Sequence, residues 1–209
     1  MKKTIISAFI LVSGLVWSCH TDPVSPDDYQ LDEQKSVAEW KGYLRTGYFN
    51  EGAITVKSDQ LKVKDGQVTG GSFTIPVSSI VNFNLPVDSL KHQLVHHLQS
   101  PDFFNMALHP NITYVIASVA PYKGSEGIAG ATHLVSGELT MLGKSNPVVF
   151  PAKIGINNDQ LTVDATLKVD RTKWGMAYAA DSTLPAEQNI LPNMDIHLKL
   201  IGKRKQETL

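Results

Sequence analysis

NPVVFPAKIGINNDQLTVDATLKVD, residues 146–170, alternates apolar and polar residues on both sides of a short polar break. In its second half Leu161, Val163, Ala165, Leu167 and Val169 fall on one face, and Thr162, Asp164, Thr166 and Lys168 on the other. Successive side chains of a strand point to opposite sides, so this period of two describes a strand with one dry and one wet face. In the first half Val148, Phe150, Ala152, Ile154 and Ile156 share a face in the same way. Asn157-Asn158-Asp159 between them tolerates the left-handed backbone of a tight turn, so the stretch predicts an antiparallel hairpin.

Working outward, the same alternation predicts strands at 35–46, 52–64, 67–76, 111–120, 133–142 and 194–201, with Lys64-Asp65-Gly66-Gln67 as a second hairpin turn. Together with the hairpin these make about eight antiparallel strands, and closing such a meander into a barrel removes its exposed edges. Two regions break the pattern. Residues 89–99 carry helical spacing, with Asp88 or Ser89 as N-cap, Leu90, Leu94 and Leu98 as the buried stripe, and an end imposed by Pro101 on Ser100. Residues 170–193 form a long Pro-containing connection able to act as a flap over one end of the barrel.

The chain has 209 residues, 42% hydrophobic and 19% charged, which suits one domain with a core that needs no disulfide staples. A net charge of -1 with no basic stripe excludes nucleic acid as a partner. Residues 1–18 combine Lys2 and Lys3 with the apolar run Ile5 to Trp17, the layout of a signal peptide, and the run is too short for a retained membrane span. LVWSC, residues 15–19, resembles the lipobox of bacterial lipoproteins, with Trp17 bulkier than that motif prefers. The expectation is an exported lipoprotein in the periplasm or at the outer membrane, held to the membrane by acyl chains on Cys19, with residues 19–28 as a flexible tether. The folded domain then covers 29–203, residues 204–209 form a tail, and loss of Lys2 and Lys3 moves the net charge to -3. Association as a homodimer is compatible with such a domain.

Three histidines in HQLVHH, residues 92–97, raise the question of a metal. On a helix His92 and His96 share one face while His97 lies at the margin of the apolar stripe, so the rings do not converge; His109 and Asp102 are the nearest additional donors. The HExxH glutamate is missing, solvated helix histidines are the commoner case, and His97 suits a partly buried ring bonded to a carbonyl; no metal is expected. TMLGKSN, residues 140–146, has Glu138 where a phosphate-binding loop needs glycine, so it reads as a turn. No GxSxG elbow occurs, the sequon at Asn111 carries little weight in a bacterial lipoprotein, and no catalytic residues or cofactor are expected. The remaining functional surface is the barrel interior, with room for side chains or one slender apolar ligand.

Six blocks spread over the chain carry a family resemblance: YQLDEQKSVAEWKG (29–42) followed by NEG (50–52), DGQVTGGSFTIPVSSI (65–80), HLQSPDFFN (97–105), HPNITY (109–114), GELTMLGKSNPVVFP (137–151) and DRTKWGM (170–176). In that order they resemble the YceI-like family. The resemblance implies a lipocalin-like barrel that binds polyisoprenoid or similar amphiphilic chains inside, hence a carrier of an isoprenoid-like or quinone-type lipid and not an enzyme. On that basis Trp40, Ile54, Val56, Phe73, Leu94, Leu98, Phe103, Phe104, Tyr114, Ile116, Phe150, Ile154 and Trp174 are expected to line the ligand site. Glu51 stands before Gly52 where many members have histidine. Two alternatives remain: a metal-dependent enzyme using His92, His96, His97 or His109, and an interaction module whose barrel is solidly packed.

Overall fold

The computed structural model describes residues 26–58 and 60–206. The expected signal peptide, Cys19 and the tether up to Ser25 lie outside the described residues. The chain forms β1 (Asp27–Leu31), β2 (Val37–Tyr43), β3 (Phe49–Thr55), β4 (Leu61–Lys64), β5 (Gln67–Pro76), β6 (Val81–Asn82), α1 (Asp88–Gln99), β7 (Asn111–Pro121), β8 (His133–Met141), β9 (Lys144–Asn157), β10 (Gln160–Asp170) and β11 (Asn193–Arg204). The opening hairpin is β9–β10, with Asn158 at φ 53° in its turn and Ala165 opposite Ala152. Asp65 (φ 51°) and Gly66 (φ 72°) make the second expected turn, and Leu142 (φ 51°) with Gly143 (φ 71°) turn the TMLGKSN stretch between β8 and β9. Both φ signs are those of the tight hairpin turns that match strand twist.

Neighbouring strands run β1-β4-β5-β7-β8-β9-β10-β11 and back to β1, a closed antiparallel barrel of eight. β1 and β2 are two halves of one strand, because both pair with β11: Tyr29 with Arg204, and Val37 with Lys199. β3 and β4 are likewise one strand interrupted at 56–60, so the stretch expected as a single strand over 52–64 starts at Phe49 and breaks in the middle. Ser36 holds the corner of the first strand, its hydroxyl donating to the Ile201 carbonyl and accepting from the Ile201 N–H, both at 3.1 Å. Strand pairing takes in Asp27 and Asp28, so the sheet begins two residues before Tyr29.

At one end of the barrel Tyr29, Leu31, Leu61, Val63 and Leu161 are packed to 3% exposure or less. At the other end β3 leaves β5 and pairs with the short β6 instead. A Cβ on Gly52 would sit 1.8 Å from the Val81 carbonyl and 2.8 Å from the Trp40 ring, so only glycine admits that pairing. α1 covers this end. It begins one residue earlier than expected, Val87 is its N-cap with no side-chain bond, and Asp88 lies inside the first turn, 3.3 Å from Lys91. Leu90 is 42% exposed, contrary to the expected stripe. Only the C-terminal half of the helix reaches the barrel, so the inward residues are Leu94, Val95 and Leu98.

The flap is a folded cap. Asp170 caps the 3-10 turn Arg171–Trp174, accepting from the Thr172 N–H at 3.0 Å. Buried Arg171 then donates to the carbonyls of Met176 (2.6 Å), Ile190 (3.0 Å) and Leu191 (3.3 Å), drawing both ends of the flap together. Arg45 fastens its tip through the Ser182 and Leu184 carbonyls, each at 2.7 Å. Among the described residues no helix is long and apolar enough to cross a membrane.

Candidate ligand-binding site

Inward positions of β2, β3, β5 and β7–β11, together with α1 and the flap, enclose a cavity of about 250 Å³. Its wall is aliphatic and aromatic, and Arg171 is the one charged residue lining it among the described residues. Trp40, Ile54, Val56, Phe73, Leu94, Leu98, Phe103, Phe104, Tyr114, Ile116, Phe150 and Ile154 line it. Trp174 does not. Its indole N–H donates to the Leu139 carbonyl at 2.9 Å and its ring is 2% exposed, so it wedges the 3-10 turn against β8 and β9 outside the cavity.

Strand periodicity accounts for most of this placement. Even-numbered residues of β2, β3 and the first half of β7 point inward, the parity of β7 changing at the register shift after Ile116 so that Val119 lines the cavity, and aromatic contacts join Phe73 to Tyr114 (6.3 Å between centroids) and Tyr114 to Phe150 (5.8 Å) across β5, β7 and β9. Burial pushes the Tyr114 hydroxyl well above the usual phenol range, and it is satisfied by donating to the Val148 carbonyl at 3.1 Å. Burial also pulls the Arg171 guanidinium down from its ordinary value against the opposing charge of Asp170. Its neighbours there are three carbonyls and the Phe103 ring, 5.9 Å away.

Asn50 and Arg171 are the polar lining residues that sequence reading missed. Starting β3 at Phe49 puts Asn50 in phase with Ile54 and Val56, a signal available in the alternation. Arg171 has no such signal, since its inward course depends on where the flap returns.

The histidines do not gather. His92 and His96 are exposed, and His97 pairs with Asp102 (3.0 Å) instead of a carbonyl, its ring edge-on to Phe103 and Tyr178 at 5.0 and 4.9 Å. Asp102 lies one turn past the helix, where the Pro101 bend brings it back to His97. Among the described residues no group of three or more His, Cys, Asp or Glu is placed to hold a metal ion.

A second hollow lies outside the barrel across β2, β10 and β11. Most of its charged and polar groups are paired: Lys41 with Glu51 (2.7 Å), Tyr43 with Asp195 (2.8 Å), Glu39 with the neighbouring Lys199 (2.7 Å) and His197 with the neighbouring Asp164 (2.7 Å). The interior cavity is therefore the candidate site.

Comparison with known proteins agrees with this architecture. The model of the YceI-like domain matches residues 29–201. No curated protein matches the sequence. Among solved structures, BcnA of Burkholderia cenocepacia is similar at 20% identity and TM-score 0.62, over 82% of this chain and 98% of that one. A polyisoprenoid binding domain from Saccharophagus degradans is similar at 15% identity and TM-score 0.55, over 85% and 98%. The YCEI protein of Campylobacter jejuni follows at 14% identity and TM-score 0.51, over 96% and 100%. At these identities the likeness concerns the fold.

Proposed function

The chain belongs to the YceI-like domain family, and from that premise we propose that it carries or sequesters one isoprenoid-like or quinone-type lipid inside its barrel, without enzymatic activity. The observation that carries this reading is the apolar cavity, walled by inward strand positions and roofed by α1 and the flap. A similar fold in Saccharophagus degradans is described as a polyisoprenoid binding domain. Each methylene moved from water into such a wall contributes about 0.8 kcal/mol, so a long tail gains affinity by contact area alone. In this reading the protein is an exported lipoprotein of the bacterial envelope, anchored through Cys19, and loading takes place at the α1 and flap end.

The test is native mass spectrometry of the full chain, purified from a bacterial host, followed by organic extraction. A co-purifying hydrophobic molecule of discrete mass, near one per chain, is the expected result. An apo mass that persists after incubation with polyprenyl and quinone lipids overturns the proposal.

A further inference from the structure

The cavity is small for the ligand class that its wall suits. Its volume is about 250 Å³. An apolar cavity of roughly 150 Å³ holds one benzene, roughly 25 Å³ for each carbon, so this space takes roughly ten carbons, or about two isoprene units. The wall has little slack. Tyr114 is in ring contact with Phe73 on one side and Phe150 on the other, and its hydroxyl is fixed to the Val148 carbonyl at 3.1 Å. The roof is tied as well, by the three flap carbonyls that accept from Arg171 and the two that accept from Arg45. Widening the space for a longer chain has to break these bonds or push packed rings apart.

One side of the wall meets water. Among the described residues lining the cavity, only Tyr48 and Leu191 are exposed, at 52% and 36%. They lie together. The Leu44 N–H donates to the Tyr48 carbonyl and the Leu191 N–H donates to the Tyr43 carbonyl, both at 2.8 Å, so the two bonds leave opposite sides of the one peptide group that joins Tyr43 to Leu44. Chains paired in this way run about 4.8 Å apart, which puts the Tyr48 and Leu191 backbones within roughly 10 Å of each other. Tyr43 and Leu44 line the cavity between them. This is its mouth.

Resting on the lipid-carrier reading, we infer that the barrel encloses about two isoprene units of its lipid, and that the remainder of any longer chain passes out over Tyr48 and Leu191. A ligand of roughly ten carbons is then enough to fill the site. Length beyond that gains only contact with two side chains that are already half in water.

The test is calorimetric titration of the full chain with isoprenols that differ by one isoprene unit: C5 prenol, C10 geraniol, C15 farnesol and C20 geranylgeraniol. Each carbon moved from water to an apolar wall tightens binding roughly fourfold. Geraniol is therefore expected to bind at least about a hundredfold tighter than prenol, and each later step to gain less than about tenfold. Tyr48→Ser should weaken geranylgeraniol about threefold and leave geraniol unchanged, because only the longer chain reaches the mouth. The ladder is measured on the unaltered chain, so a variant that fails to fold does not remove the test. Gains of about a hundredfold or more at every step up to C20 would mean that the whole tail is enclosed, which overturns the size limit while leaving lipid binding intact. Affinity that peaks at geraniol and falls for the longer chains overturns the exit, as does equal binding of geranylgeraniol by Tyr48→Ser and the unaltered chain. Failure of all four to bind, with no lipid co-purified, overturns the carrier reading together with this inference.

Discussion

Where β1, β4 and the start of β10 come together, Tyr29, Leu61 and Leu161 are almost fully buried against one another. Where β2 and β3 turn, Trp40, Leu94, Leu98 and Phe104 also face inward but surround open volume. Both ends are made from alternating strands of similar composition, so hydrophobicity does not distinguish them. Continuity of pairing does. At the filled end every strand keeps a neighbour on both sides, and Gly202 brings β11 close enough for Leu31 and Leu161 to meet above it. At the hollow end β3 has parted from β5, and the gap is bridged by α1, β6 and a flap hung on Arg171, elements that roof the space without filling it. Stability should therefore reside mainly at one end and binding at the other.

The sharpest way to break this contrast is a pair of leucine truncations. Leu161→Ala empties a close-packed site and should cost about 2–5 kcal/mol in urea denaturation, whereas Leu94→Ala enlarges a space that already exists and should cost less than about 1 kcal/mol. Equal costs would mean that the two ends are packed alike. Arg171→Met leaves the flap carbonyls without a donor, an expected loss of about 1–3 kcal/mol, with faster amide exchange over 176–191 and unchanged protection in β1 and β4. Uniform loss of protection would show that the ends are not separable.

Phe104→Asp places an unpaired carboxylate in the cavity wall, where desolvation penalises it. Lipid recovered by extraction should fall by about tenfold or more, the equivalent of about 1.4 kcal/mol, with the β-sheet circular dichroism retained and the thermal transition lowered. Retained lipid would take Phe104 out of the site.

The smallest effect concerns Asp195 on the outer face of the hollow end. Burial acts to raise its pKa, and the Lys168 and Tyr43 hydrogen bonds outweigh burial, holding the carboxyl below its ordinary 3.8. A carboxyl depressed by folding stabilises above its unfolded value and loses that contribution as the pH drops through the lowered one. Wild type should thus lose stability below about pH 4 slightly more steeply than Asp195→Asn, and parallel acid limbs would count against the pairing.

The β9–β10 hairpin was legible because its wet and dry faces alternate without interruption, and the Asp65-Gly66 turn because its residues tolerate positive φ. The aromatic positions of β5, β7 and β9 followed from the same parity once the family blocks were aligned. Errors fell where local pattern meets a long-range constraint. Leu90 has the spacing of a buried residue, but the barrel ends before the helix does. Trp174 has the size of a lining residue, but its N–H is claimed by the Leu139 carbonyl. His97 found a carboxylate because the bend at Pro101 returns Asp102 to it.

By itself the sequence determined most of the long strands, two of the hairpin turns and the helical interruption, since each depends on residues within a few positions of one another. Only the tertiary structure decided that β3 leaves β5, that the flap folds back onto Arg171, and that Tyr48 and Leu191 come together at the mouth of the cavity. Those outcomes depend on contacts between residues distant in the chain, where closure of the barrel, and not local preference, determines which atoms meet.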